Sequence, residues 1–300
     1  MFNQANAENS TDRQVIIPKG VKLSIMPVDI FNMKNIRFTI DGTLYVSEHW
    51  KDYPNYDQTL LFENADGFVI DGNGTFDGRG FMWWVRDIVQ GQDECCRPHM
   101  MMFDLSRNID MSGVFVTNGP RYHIVLHDSE EIYLHDFDIY VDVFGQLSLQ
   151  KFFGGIVAKS FAKYGDLSLE IPMFPLNTDA IDTFARNVTF RRMKITNFDD
   201  AIVPKPTNRG YKISKCTENI WAEDIQSTFT LGMTLGSVPP NENYACIRNV
   251  TYKNIQMDYP IKGIYIKPNP GHHGYGVIEN ILYENVVMNT PIWWAIWIGP

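Results

Sequence analysis

Two short stretches carry acids at a suggestive spacing. Residues 177–182 read NTDAID, and residues 197–203 read NFDDAIV. Asp179, Asp182, Asp199 and Asp200 all sit before or within short apolar runs. Aspartate is depleted from strands, and adjacent carboxylates repel one another. Solvated turns would tolerate them. A fold that stacked the two stretches would instead gather the carboxylates on one face. Repulsion between close carboxylates raises one pKa and so keeps one group protonated while another stays ionised. Such a pair is the machinery of glycoside hydrolysis: the acid helps the leaving oxygen depart and the ionised partner activates water.

The elements that must position these acids are short strands in a repeat. NVTFRRMKI, NIWAEDIQS, NVTYKNIQM and NILYENVVM begin at 187, 219, 249 and 280, a period close to 31. Earlier units of the same kind begin at 35, 67, 108 and 131. Between them lie further apolar runs, AIVPK (201–205), GMTLGS (232–237) and GIYIK (263–267). Short strands alone would also suit a sandwich of hairpins. A constant period argues for a solenoid in which each repeat is one coil. Roughly three short strands per coil make an all-β parallel β-helix. Its recurrent asparagines serve as turn residues, as a side-chain ladder, or as both. If TDAID, DDAIV, GMTLG and GIYIK share one sheet, they are neighbouring strands about 4.8 Å apart. Asp179, Asp199 and Asp200 then cluster, with Lys205 and Lys267 close by. The one candidate helix covers 81–93.

The solenoid is expected over residues 15–300, preceded by a disordered or partial segment, 1–14. The chain ends on the apolar PIWWAIWIGP with no cap after it, so the domain is expected to be incomplete at its C-terminal end. Most of the tryptophans are read as packing residues, Trp83 and Trp84 against the solenoid flank. His123 and His127 are read as lining one strand face, without a metal.

Composition narrows the partners. The 300 residues are 44% hydrophobic and 20% charged, with a formal net charge of −9. That balance disfavours general binding to nucleic acid or to an anionic membrane. No apolar run approaches the ~20 residues of a membrane-spanning helix. Cys95, Cys96, Cys216 and Cys246 fit no zinc spacing, and leave disulfides and buried thiols both open. Glycosylation sequons at Asn9, Asn73, Asn187 and Asn249 lean towards secretion, although the polar N-terminus is no signal peptide. A monomer is expected.

The motifs resemble those of glycoside hydrolase family 28, the polygalacturonases and their relatives. NTD followed about 20 residues later by DD resembles that family's active-site pattern. GNGTFDGRGFMWW (72–84), RPHMMMF (97–103) and GMTLGS resemble other family segments in order, over roughly 15–300. The resemblance implies a right-handed parallel β-helix that hydrolyses α-linked galacturonate polymers with inversion and needs no metal or organic cofactor. It implies Asp199 as general acid, with Asp179 and Asp200 positioning and deprotonating the water. Inversion ordinarily wants carboxyls about 6.5–9.5 Å apart. Lys267 would hold a substrate carboxylate, with Lys205 at an adjoining subsite and Asn177 and Tyr265 as further substrate contacts. Asp182 receives no role. The chain departs from the family at Leu231, where the family has His, and at Tyr265, where it has Arg. Tyrosine supplies neither the charge nor the fork of an arginine, but it can stack on a sugar face. His272 and His273 lie on a loop just beyond Lys267. The expected protein is a secreted hydrolase of pectic polysaccharide. The alternatives are a rhamnogalacturonan-type hydrolase, a catalytically weakened or silent carbohydrate-binding β-helix, and a calcium-dependent pectate lyase on a similar fold.

Overall fold

Alternating apolar and polar side chains, broken every few residues by Asn, Asp or Gly, wind the chain into coils of short parallel strands. A computed structural model describes residues 1–49, 53, 57–84, 97–142, 175–207, 210–238, 244–269 and 274–300. The architecture is the right-handed parallel β-helix, with strands on three faces of each coil. The register of the face that carries the acids is set by one inward ladder. It runs Val28, Leu60, Met101, Ile124, Ile181, Ile202, Met233, Ile264, Ile296. A second ladder runs Ile36, Phe68, Ile109, Ile132, Val188, Ile220, Val250, Ile281 on a neighbouring face. Each interior rung is buried by the coils on either side, which contributes about 1.5–3 kcal/mol per large aliphatic side chain. A slip of one residue would turn a whole rung outward, so these ladders fix where the acids emerge.

The repeated asparagines serve both purposes. Asn187, Asn219, Asn249 and Asn280 adopt left-handed φ values of 56°, 58°, 53° and 56°, a region that Asn tolerates better than most residues. Their side chains also bond in series: Asn219 donates to Asn187 at 2.8 Å, Asn249 to Asn219 at 3.1 Å and Asn280 to Asn249 at 3.2 Å. Two of the sequons are therefore bound into this ladder, because Asn187 donates its own amide to Glu131 and Asn249 to Asn219. A glycan on either nitrogen would disrupt a rung. Asn9 and Asn73 are exposed.

The N-terminal segment, expected to be disordered or partial, packs onto the first coils. Phe2–Ala5 form a helical turn, and Phe2 packs on Phe38, Phe62 and Phe68 over the first coils. Burial of one aromatic ring holds a segment too short to show any helical periodicity. At the other end, Trp294–Ile298 pair with Lys262–Pro268, and Trp293, Trp294, Ile296 and Ile298 are exposed. Trp83 and Trp84 are buried, Trp83 edge-on to Tyr53 and Trp84 donating from its indole to the Gly119 carbonyl at 3.2 Å. Residues 81–84 are helical, and the rest of the expected helix falls largely outside the described residues, as do Cys95, Cys96, His272 and His273.

Cys216 and Cys246 form a disulfide that ties successive coils together across a sequence separation of 30. A loop of that size predicts a stabilisation of about 3–4 kcal/mol from the restricted unfolded chain. Replacing both cysteines by serine is expected to lower the denaturant midpoint, and a reductant should then leave the variant's midpoint unmoved. An unchanged midpoint in the double variant would contradict the tie.

Candidate active site

The two acid-bearing stretches meet in adjacent coils. Ile181 pairs with Ile202 and Asp182 with Val203, and the next coil continues with Ile202 opposite Met233. With the isoleucines pointing inward, alternation sends Asp182, Thr234 and Tyr265 to the outer face. Thr234 pairs with Tyr265 and Tyr265 with Trp297, so this face extends across five successive strands. Gly232, opposite Asp200, holds a φ of +92°, and a Cβ there would lie 1.9 Å from the Gly263 carbonyl oxygen. Only glycine allows the neighbouring coil to approach so closely.

Asp179, Asp199 and Asp200 come together as expected, but below the surface rather than on it. Asp179 and Asp200 are fully buried or nearly so, and Asp199 is 8% exposed. One carboxylate oxygen from each lies within 4.8 Å of the others. The separation expected for inversion, about 6.5–9.5 Å, is not what adjacent coils deliver. Strand spacing near 4.8 Å brings the acids closer.

Two lysines hold the cluster. Lys205 Nζ lies 3.7 Å from Asp179, 3.5 Å from Asp182 and 3.6 Å from Asp200. Lys267 Nζ donates to Asp200 Oδ2 at 2.7 Å, and Thr234 Oγ1 donates to the other Asp200 oxygen at 2.6 Å. Lys205, read above as a substrate contact, is thus committed to three carboxylates. Asn177 is exposed, and its backbone N–H donates to Asp199 Oδ2 at 2.9 Å. The backbone N–H of Asp200 donates to Asp199 Oδ1 at 2.9 Å.

These surroundings separate the carboxyls electrostatically. Burial, with repulsion from Asp179 and Asp200, pushes Asp199 up to about 8, so it carries a proton at neutral pH. Burial acts on Asp200 too, but Lys267 and Lys205 outweigh it, and the hydrogen bonds from Lys267 and Thr234 help hold this carboxyl below its ordinary value. Burial, followed by repulsion from Asp182, raises Asp179 well above the ordinary range. Burial raises Asp182 to about 6, against the pull of Lys205 and a hydrogen bond from Asp179. The face therefore presents a protonated Asp199 and an ionised Asp200, beside an Asp179 and an Asp182 that are both raised above the ordinary carboxylate range.

Three further residues serve the site without a sequence signal of their own. Asp182 belongs to the cluster, although the motif gave it no part. Thr234 orients Asp200. His123 does not line a surface: it is fully buried, accepts the Gly119 N–H at 3.0 Å and lies 3.0 Å from the Asp179 carbonyl through Nδ1. With Nε2 accepting, Nδ1 carries the proton and donates, which holds the Asp179 backbone. Burial lowers His123 to about 4, so it stays neutral. His127 instead bonds Asp104 at 2.7 Å. Leu231, in place of the family's histidine, donates its N–H to the Asp199 carbonyl at 2.7 Å and adds no charge. Three clustered carboxylates are also a donor set for a hard cation. Here two ammonium groups already balance that charge.

Comparison with known proteins agrees with this geometry. A "Polygalacturonase" from Prunus persica is 25% identical over 233 residues, 77% of this chain and 49% of that protein. A "Probable polygalacturonase" from Arabidopsis thaliana is 25% identical over 270 residues, 88% of this chain and 49% of that protein. The chain spans about half the length of these curated relatives. Among solved structures, the polygalacturonase from Erwinia carotovora ssp. carotovora superposes with a TM-score of 0.74 at 19% identity, covering 97% of this chain and 75% of that one. The endo-xylogalacturonan hydrolase from Aspergillus tubingensis gives a TM-score of 0.74 at 17% identity, covering 92% of this chain and 66% of that one. Identities this low show the shared β-helix alone. The family model of "Glycosyl hydrolases family 28" matches residues 8–298, and with that span the chain belongs to glycosyl hydrolases family 28.

Proposed function

We propose that the protein hydrolyses α-glycosidic bonds in a galacturonate-containing pectic polysaccharide, acting as a secreted monomer. The observation that carries this reading is the separation of charge states between Asp199 and Asp200, two adjacent residues in one buried cluster. Asp199 gives its proton to the glycosidic oxygen as that bond breaks. Water attacks the anomeric carbon from the opposite face and passes its proton to Asp200. Asp179, raised well above the ordinary carboxylate range chiefly by burial, positions that water rather than deprotonating it. Lys205 offsets the charge of three buried carboxylates. Lys267 bonds Asp200, and its ammonium lies 4.9 Å from the Tyr265 ring centroid. A single displacement by water leaves inverted product.

A second reading, a carbohydrate-binding β-helix with weakened catalysis, is favoured by Leu231 and Tyr265. A panel of polygalacturonate, xylogalacturonan and rhamnogalacturonan separates the two, because a silent binder gives binding without new reducing ends.

The acid carries a pH signature. Because Asp199 must be protonated, kcat/KM is expected to fall as pH rises through about 8, with one proton lost. Asp200 is held low, so it stays ionised across this range and adds no second limb there. Proton NMR of the first product formed should show the inverted anomer. A rate that rose across that range, or a retained anomer, would contradict the assignment.

A further inference from the structure

Lys262 is a cation that the catalytic cluster does not use. It is 8% exposed, at the start of the strand Lys262–Pro268. Among the described residues no carboxylate is within salt-bridge distance of its ammonium, in contrast to Lys205, Lys253 and Lys267. Its neighbours are aromatic faces. Nζ lies 3.6 Å from the Tyr265 ring centroid, 5.3 Å from that of Trp293 and 5.5 Å from that of Trp297. Lys267 Nζ lies 4.9 Å from the same Tyr265 centroid and donates to Asp200. One tyrosine ring therefore joins a lysine bound to the ionised catalytic carboxylate and a lysine with no counter-ion.

Cation–π contact holds the ammonium against these rings without neutralising its charge. The strand Lys262–Pro268 lies two coils on from Asp200, with Gly232–Val238 between them. An ammonium without a carboxylate partner at that place in the cleft is positioned to receive a carboxylate carried on the sugar.

We propose that Lys262 is a specificity-determining residue that binds a uronate carboxylate of the substrate. The proposal rests on the reading of the cleft as a galacturonan site and names the residue that selects the acid form of the sugar. It also accounts for Tyr265: the positive charge is displaced from that position to Lys262, whose ammonium contacts the same ring as that of Lys267.

The test is a binding titration on the full-length protein carrying Asp199→Asn, so that ligand is not consumed. The ligands are a galacturonate oligomer as free acid and the same oligomer fully methyl-esterified. Lys262→Met is expected to weaken binding of the acid by about 10- to 100-fold, the range for a hydrogen bond to a charged group. Binding of the ester should change less than about twofold on that scale. Lys262→Arg, which keeps the charge, should retain most of the affinity for the acid. Equal losses for acid and ester, no loss for the acid, or a loss in Lys262→Arg as large as in Lys262→Met would overturn the proposal and leave a packing role. The titration needs no turnover. If the oligomer is bound or cleaved and Lys262 has no effect, this inference fails alone. If it is neither bound nor cleaved, the galacturonan reading falls with it.

Discussion

Asp199→Asn is expected to lower kcat on polygalacturonate by about 10²–10⁴-fold, the range for loss of a general acid. The amide has nearly the same shape and cannot deliver a proton to the leaving oxygen. Its two side-chain oxygens accept the N–H groups of Asn177 and Asp200. An asparagine keeps one of these bonds and loses the other, which costs about 1 kcal/mol. It also removes an acid that burial and two neighbouring carboxylates strain. The two effects oppose, so the melting temperature should move by only a few degrees. KM should change little, because the group acts on the leaving oxygen rather than on ground-state binding. Equal rates in the two proteins would remove Asp199 from the chemistry.

The second large effect is on stability. Lys205→Met removes the ammonium that stands within 3.7 Å of Asp179, Asp182 and Asp200. Breaking a buried ion pair by removing one partner typically costs about 3–5 kcal/mol. The sign of the pH dependence follows from the carboxyls left behind. Asp179 and Asp182 already have folded-state pKa values above their unfolded ones, chiefly through burial, and Lys205 acts to lower both. Without it both rise further. A group raised in the folded state has its stability fully present below the unfolded pKa and loses it as pH rises through the folded value. The variant should therefore lie close to the wild type near pH 4 and fall progressively behind it towards pH 8. Activity should also drop, because Asp200 loses one of the two cations that keep it ionised. Denaturant midpoints across that range check this. A constant difference at every pH would mean that Lys205 contributes packing rather than charge.

The fold was legible because a solenoid writes its geometry into a period. Asn187, Asn219, Asn249 and Asn280 announced successive turns, and the structure stacks those same residues. The acids were legible because 21 residues separate Ile181 from its rung partner Ile202, and that is enough chain for one lean coil. The remainder depended on contacts that no period records. Phe2 holds the N-terminal turn through a single packing site. His123 acts from an adjacent coil through the Asp179 carbonyl, a backbone atom with no side-chain motif. The resemblance alone marks Lys205 as a substrate contact. Its three carboxylate partners come from two stretches, Asp179 and Asp182 from one and Asp200 from the other.

The central claim is that water, directed by this carboxylate cluster, opens a galacturonan linkage. It is tested most directly by digesting a galacturonate oligomer with the full-length protein in oxygen-18-labelled water and weighing the fragments. The account predicts one labelled oxygen at each new reducing end, saturated fragments, and fragment release from Asp199→Asn slowed by about 10²–10⁴-fold. Unlabelled, unsaturated fragments would show elimination in place of hydrolysis, and an intact oligomer that binds without cleavage would show a silent cleft. Either result would contradict it.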